Sequence, residues 1–596
     1  MTSQRTLGLF VASGIILALY WVTFIHPFFP TTDGTMGHDH RGSLVDATIG
    51  FVHFHKDPWN IPWFTPASCA GNMFVAGAST PYVNVQQWLT FFINPLTASK
   101  INIMLFAGLG FLGTYLICRR RFNTDPIAAF LGASLFLFNG FFAYRMVIGH
   151  TAFHGYMLIP LIGYLLISRR DGNLGLECRN IMTAGVLIAY LILTASAFML
   201  LTTGLCLVGI LAIHTLADDT PGNPASRELK PYLPLTAAIA VALLISLFKI
   251  TLTLSTASNF EREFYPLPGL HNFLDALTLP IRLLFFSTPD WETETQFLFT
   301  NYRWLINRHE LEMGVGAPAL AIMVFALVAA RARIVEAAIK HRLAFIVLIT
   351  VLILPITLNY YHPAWNEFLK SVPIFKTFSL NVRLYAIYIP LVVLGVVLAF
   401  SMVRQYRLPI CFAVVACTVA THWLVDRSYY SRQAYNPKVI LQFYDRFRDS
   451  PDKIPPIRAT SELQHASFEG DAFIIQNEMF VFGSSNIQCH NDIFGYRLEA
   501  FPKRELLAPN ASVFQEAEGR FNFKNPACYV FPRANNCEPG DHFQSHQAEA
   551  LKDFVAYRGL TFTTPGYQVV SNTVSFVSLM LVIFGIITLS IRFRGN

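Results

Sequence analysis

The residues best placed to do chemistry form a short run, Gly37-His38-Asp39-His40-Arg41, with Asp46 seven positions after Asp39. A carboxylate can take a proton from a hydroxyl or hold a cation, and imidazoles beside it can orient it or share its proton. The run follows an apolar stretch over about 7–26 that is long enough to cross a bilayer. A carboxylate at that lip is set to act on something carried by lipid. The other account of Asp39 is an N-cap or a solvated loop acid. His38, His40, His53 and His55 also invite a metal reading. Their spacing matches no strong metal motif, so no metal site is expected and satisfied surface imidazoles are the simpler account.

Three further groups share the outer side. Gly149-His150 follows the third apolar stretch, and His154 lies one helical turn on. A pair at that spacing can bind substrate or metal, or hydrogen-bond a backbone carbonyl. Arg303, then Arg308-His309-Glu310-Leu311-Glu312, precede one later stretch, and Pro373 to Lys376 with Asn381-Val382-Arg383 precede another. Cations on this side run against the positive-inside bias. An anionic phosphate is one reason for them, and snorkelling to headgroups is the other.

The elements that must position these groups are mostly membrane helices. Only 14% of residues are charged, against about 25% in soluble domains, and 53% are hydrophobic, with 53 Phe. Spans are expected near 7–26, 99–118, 125–142, 152–168, 181–197, 199–216, 232–250, 313–330, 343–358, 383–402, 407–425 and 571–592. The break at Thr194-Ala195-Ser196 is weak, and if 181–216 is one bent element the topology beyond it flips. With twelve spans, Arg119-Arg120-Arg121, Arg169-Arg170, Arg331, Arg333, Lys340, Arg342, Arg404, Arg407, Arg592 and Arg594 share one side. Short cytoplasmic loops carry such an excess, so that side is read as cytoplasmic with both termini on it. The Pro27-Phe28-Phe29-Pro30 flank lacks a small-residue cleavage site, so the first span is read as a retained anchor.

Four longer segments then lie outside: 27–98, 251–312, 359–382 and 426–570. Apolar residues from Leu44 to Phe54 recur at helical spacing, which predicts an amphipathic surface helix beside Asp39. Trp59 and Trp63 suit the membrane interface, and a second surface helix is expected from Tyr82 to Trp88. The organisation expected is a multi-span domain over 1–425, an outer domain over 426–570 and a terminal span within 571–596. Ala472 to Ile475 and Glu478 to Phe482 read as strands in that outer domain. Cys528 and Cys537 flank a turn and suit a disulfide in an oxidising compartment, leaving Cys489 over.

These features together resemble the GT-C superfamily of membrane glycosyltransferases, and within it the bacterial YfhO-like group. The resemblance rests on five features. They are the acidic first outer loop, the Gly149-His150 segment before a Pro160-containing span, the His309-Glu310-Leu311-Glu312-Met313-Gly314 approach to a later span, the Pro373…Arg383 approach to another, and an outer C-terminal domain. It covers about residues 5–400. It implies a polytopic helical protein of about twelve spans with a mixed α/β outer domain, seated in a bacterial cytoplasmic membrane with its site facing the periplasm. It further implies a polyprenyl-phosphate sugar donor and a lipid, glycan or protein acceptor. Asp39 takes the place of the family's catalytic base, with Asp46 and Asp33 as alternates. Lys376 and Arg383 take the place of donor-phosphate contacts, with Arg303 or Arg308 as alternates. His38, His40, Arg41, His150, His154, His309 and Glu310 complete the expected substrate-binding set.

That set is chemically sufficient. Inverting transfer needs one base to deprotonate the acceptor hydroxyl. A phosphate leaving group needs cations to meet its developing charge rather than a second acid. A divalent metal is possible and not demanded. No phosphate-cradling Gly-rich loop appears, which suits a lipid donor, and no nucleic-acid partner is expected. The rival class is a transporter or flippase for a lipid-linked glycan, which predicts ionisable residues in mid-span. Lys249 and Arg383 lie near span ends instead.

Overall fold

The protein was described as a computed structural model over residues 2–592, except 32, 78–80, 168–172, 196, 218–228, 261–266, 287–297, 301–305, 377, 379, 404, 462–464, 469–471, 487–513, 517–518 and 522. Among the described residues, ten helices are long and apolar enough to cross a membrane. An eleventh span forms if Ala317–Ala329 and Arg331–Lys340, bent by 74° at Ala330, are taken as one. The expected spans recur with shifted ends, and the weak break holds: Leu174–Thr194 and Ala197–Leu216 are separate helices.

The departure is at 152–168. Thr151–Leu158 is a 3-10 helix that continues as the α-helix Ile159–Leu166, and together they are shorter than an ordinary span. A 3-10 turn rises about 2.0 Å per residue against 1.5 Å for an α-helix, so the pair still reaches roughly 28 Å. That approaches the ~30 Å of a bilayer core. Tight winding thus compensates for the missing residues.

Helix α1 (Thr2–Tyr20) continues as a π-helical turn, Trp21–Ile25, and the chain then enters the first outer loop. Helix α2 (His40–Lys56) forms where the apolar periodicity placed it. It is not a surface helix, however. Leu44, Val45, Ile49, Phe51 and Val52 are fully buried, because α2 has cover on several sides. Gln87 donates to the Ala47 carbonyl at 2.9 Å, and Tyr444 of the C-terminal region lies tilted on Phe51 with centroids 4.6 Å apart. The second expected surface helix is Val85–Thr90, capped by the Asn84 side chain on the Gln87 N–H at 2.7 Å.

Described residues of the chain beyond 425 pack against the segment between the first two spans. Met36 pairs with Tyr435 in a β-bridge, Ala70 N–H donates to Ser485 Oγ, and Lys524 N–H donates to the Ala70 carbonyl. The strand expected at Ala472–Ile475 is present, antiparallel to His465–Phe468. The one expected at Glu478–Phe482 is instead a 3-10 helix, Gln476–Phe482. Its consecutive residues Glu478, Met479 and Phe480 are all buried, which the alternation of a half-buried strand forbids. Cys528 and Cys537 form the expected disulfide. Cys69 of the first outer loop is also disulfide-bonded, which the sequence reading had not anticipated.

The last helix, Gly566–Arg592, lies along Leu233–Asn259. Gln568 holds it there, donating to the Phe248 carbonyl at 2.9 Å and accepting from Thr251 at 2.8 Å. The buried Lys249 donates to the Val75 and Gly77 carbonyls of the first outer loop. Its charge is therefore absorbed by backbone oxygens.

Candidate active site

The site begins with a close approach of two backbones. Asp39 N–H donates to the Ile148 carbonyl at 3.0 Å. Gly149, at φ +107°, ends the Gly140–Ile148 helix, and a Cβ on it would sit 2.2 Å from the His40 nitrogen. A Cβ on Gly37 would sit 2.3 Å from the Val147 carbonyl oxygen. Only glycine fits at either place, and this contact brings the start of α2 against His150.

Asp39 does occupy the N-cap position of α2, but its side chain makes no capping bond. Its Oδ2 lies 2.6 Å from His150 Nε2 and 3.5 Å from His38 Nε2. The carboxylate is about 30% exposed, so it faces outward while held from behind. Burial alone would raise its pKa. The His150 hydrogen bond and the neighbouring imidazoles outweigh burial and hold it below the usual carboxylate range.

His309 joins from a third segment. Its ring meets that of His150 edge to face at 4.8 Å, and its Nδ1 lies 3.0 Å from the Tyr429 hydroxyl. Burial first, then the charge of His150, holds the His309 imidazole well below its ordinary value, so it is neutral at neutral pH. His38 Nδ1 lies 2.6 Å from Gln433 Oε1. Tyr429 and Gln433 come from the chain beyond 425, which closes the site from the side of the outer layer.

The next residue, Glu310, belongs to a different arrangement. Arg145 donates to its Oε2 at 2.8 Å, Arg383 Nε donates to the same oxygen at 2.8 Å, and Arg383 Nη2 pairs with Oε1. Arg145 is fully buried with its guanidinium 3.9 Å over the Phe141 ring, and Arg383 is about 25% exposed. Burial would raise the Glu310 pKa, but Arg383 and Arg145 hold it well below the ordinary value. The sequence opens the second group, Arg145 to His154, at this residue but gives it no role of its own. A lone arginine inside the apolar 126–148 helix was the available signal.

The other expected residues divide. His40 is buried with Nε2 3.0 Å from the Met146 carbonyl, so it fastens the backbone approach. His154 is buried between the Thr151 carbonyl and the Tyr190 hydroxyl, each 2.5 Å from a ring nitrogen. Arg308 pairs with Glu312 at 2.9 Å. Asp46 is half-buried two turns along α2, outside the converging group, while Arg41 and Lys376 are exposed. Arg303 lies outside the described residues.

Asp39, His150 and His309 each offer a ligand atom, all within 4.8 Å of one another, and this donor set suits a divalent cation. The spacing fits less well. Two ligands about 2.0–2.1 Å from a tetrahedral ion lie about 3.3 Å apart. The 2.6 Å between Asp39 and His150 is a hydrogen bond instead. The pair would have to separate to admit an ion.

No family model matches the chain, and no curated protein does. Among solved structures it is similar to the arabinofuranosyltransferase AftD from Mycobacteria, at 14% identity and TM-score 0.38, over 76% of this chain and 29% of that one. It is also similar to the Archaeoglobus fulgidus oligosaccharyltransferase bearing a tethered acceptor peptide, at 12% identity and TM-score 0.38, over 82% of this chain and 64% of that one. A third match is the Archaeoglobus fulgidus oligosaccharyltransferase AglB with an inhibitory peptide and a dolichol-phosphate, at 13% identity and TM-score 0.40, over 74% of this chain and 58% of that one. The chain spans less than two thirds of the length of each.

Proposed function

We propose that the protein is a membrane glycosyltransferase that moves a sugar from a polyprenyl-phosphate donor to an acceptor hydroxyl on the outer face of the membrane, with inversion. One observation carries this reading: a partly exposed carboxylate and a partly exposed guanidinium converge through neighbouring residues. Asp39 reaches His309 through His150, and the residue after His309 holds Arg383.

Asp39 takes the proton as the acceptor oxygen forms its bond to the sugar's anomeric carbon. The carbon–oxygen bond to the phosphate breaks with its electrons, and the negative charge passes to the leaving phosphate. Arg383, aimed by Glu310, meets that charge, with Lys376 as a second cation. His150 and His38 orient the carboxylate. The 2.6 Å contact favours direct base catalysis over cation binding at the cluster.

The cysteines support the orientation. The disulfide-bonded ones, Cys69, Cys528 and Cys537, lie in the first outer loop and the outer layer. The free ones among the described residues lie in membrane helices, several beside the arginine-rich ends. Disulfides persist on the oxidising side of a membrane. On this reading the site faces the periplasm, the arginines face the cytoplasm and the protein sits in a bacterial inner membrane.

The test is sugar transfer from polyprenyl-phosphate donors in membranes carrying wild-type or Asp39→Asn protein at equal levels. Loss of product supports the assignment, and full activity in the variant rejects it.

A further inference from the structure

At the other end of α2 from Asp39, the first outer loop and the C-terminal layer enclose a second pocket of about 230 Å³. It lies below the ~300–1,000 Å³ typical of pockets for drug-sized ligands and has room for a single ring. Trp63, Phe64 and Phe562 give it aromatic faces, and Asp57, Asn60 and Asn572 line it with a carboxylate and two amides.

Two buried side chains on its lining leave a polar atom unpaired, His53 otherwise meeting only the Tyr557 backbone. His53 is 5% exposed and Tyr557 1% exposed, and both His53 Nε2 and the Tyr557 hydroxyl lack a hydrogen bond. An orphaned buried polar group costs roughly 1–3 kcal/mol, and two of them on one small pocket call for a ligand that pairs with both. Asp57 is also underused. Its bonds to the Gly559 N–H and to Asn60 are both 3.3 Å long and both use one oxygen.

The pocket's chemistry suits a neutral polyol. Burial pulls the His53 imidazole down to about 3, so it is uncharged at physiological pH. The one cation on the lining, Arg558, is exposed and paired with Asp553 at 3.3 Å. Nothing there would repay the desolvation of a phosphate. A sugar ring offers a C–H face to aromatic walls and hydroxyls that both give and take hydrogen bonds.

We infer that this pocket is a carbohydrate subsite that seats one ring of a glycan acceptor, with aromatic walls on its face and His53, Tyr557, Asp57 and Asn60 on its hydroxyls. The inference rests on the glycosyl-transfer reading, because it takes the acceptor to be a glycan. Fourteen residues of α2 separate His53 from Asp39, on the order of 21 Å at 1.5 Å per residue. The acceptor therefore has several sugars, gripped well behind its growing end.

The test is ligand-observed saturation-transfer NMR on the full-length protein in detergent. The probes are free hexoses, pentoses and N-acetylhexosamines, with glycerol 3-phosphate as the anionic comparison. Saturable binding of at least one sugar is expected, weakened tenfold or more in Asp57→Ala and severalfold in Tyr557→Phe, which removes only a hydroxyl. Asp39→Asn should bind as wild type does. Absence of sugar binding, binding unchanged in both pocket variants, or binding of glycerol 3-phosphate alone would each overturn the subsite. Sugar binding together with a fully active Asp39→Asn enzyme would keep the subsite and reject the catalytic reading. An inactive Asp39→Asn with no sugar binding would do the reverse.

Discussion

Two carboxylates stand near each other at the span ends, and their surroundings differ. Asp39 is partly exposed and held from behind by imidazole rings. Glu310 is buried, and both of its oxygens are taken by guanidinium groups that cannot release their protons. Each is held as a carboxylate, but only Asp39 presents an oxygen outward. Residue type therefore does not mark the base. On the proposed reading the partners do: imidazoles leave the Asp39 carboxylate an open oxygen, and a pair of arginines turns Glu310 into a clamp.

The largest effect that would test this contrast is loss of the outward oxygen. Asp39→Asn should lower transfer by about 10²–10⁴, the range for a positioned base, with little change in melting temperature. Glu310→Gln should lower stability as well as transfer. It leaves the buried Arg145 without its counter-charge and should cost about 3–5 kcal/mol of stability, read as a lowered thermal midpoint. If the glutamine variant keeps its stability and loses only activity, the division of roles is wrong.

A smaller effect concerns the backbone that presents Asp39. Gly149→Ala places a methyl against the start of α2 in a left-handed conformation and should cost about 1–3 kcal/mol, with transfer falling alongside. The acid limb of the stability curve should be gentler still. Burial lowers His40 to about 4, His53 to about 3 and, with the charge of Lys524, His542 to about 4. Their folded values lie below the unfolded value near 6.5, so the unfolded chain binds more protons as pH falls. Stability is complete above about 6.5 and declines toward pH 4 by up to about 1.4 kcal/mol per unit and group. Melting scans from pH 7.5 to 4.5 would show it, and His53→Gln should flatten the slope. The smallest effect expected is that of a chelator. Transfer should stay within twofold after treatment and dialysis, and a loss restored by Mn²⁺ or Mg²⁺ would make the Asp39 cluster a cation site.

The sequence made the polytopic architecture legible because apolar length and arginine placement are one-dimensional signals. Asp39, His150, His309, Glu310 and Arg383 were also legible, as polar residues at span ends. Their grouping was not. It depends on Gly37 and Gly149 allowing two backbones to touch, and on Tyr429 and Gln433 arriving from more than a hundred residues away. His154 shows the converse. Its spacing from His150 suggested a shared site, but the 3-10 winding of Thr151–Leu158 turns it into the packed interior. The burial of α2 was hidden for a related reason, since its periodicity showed one apolar face and could not show that the C-terminal region covers the rest.

The seam between the last helix and Leu233–Asn259 bears on how the chain is made. Ser575 Oγ accepts from the Phe248 N–H at 2.9 Å and donates to the Leu244 carbonyl at 3.1 Å, so one hydroxyl bridges a rung of the earlier helix's own ladder. The residue that bridges that rung is synthesised more than three hundred positions later. Before Ser575 is in place, the Phe248 N–H can close that rung on the Leu244 carbonyl alone, so the last helix docks onto a helix that is already complete. A chain cut short before 566 keeps the rung and loses the bridge between the two helices.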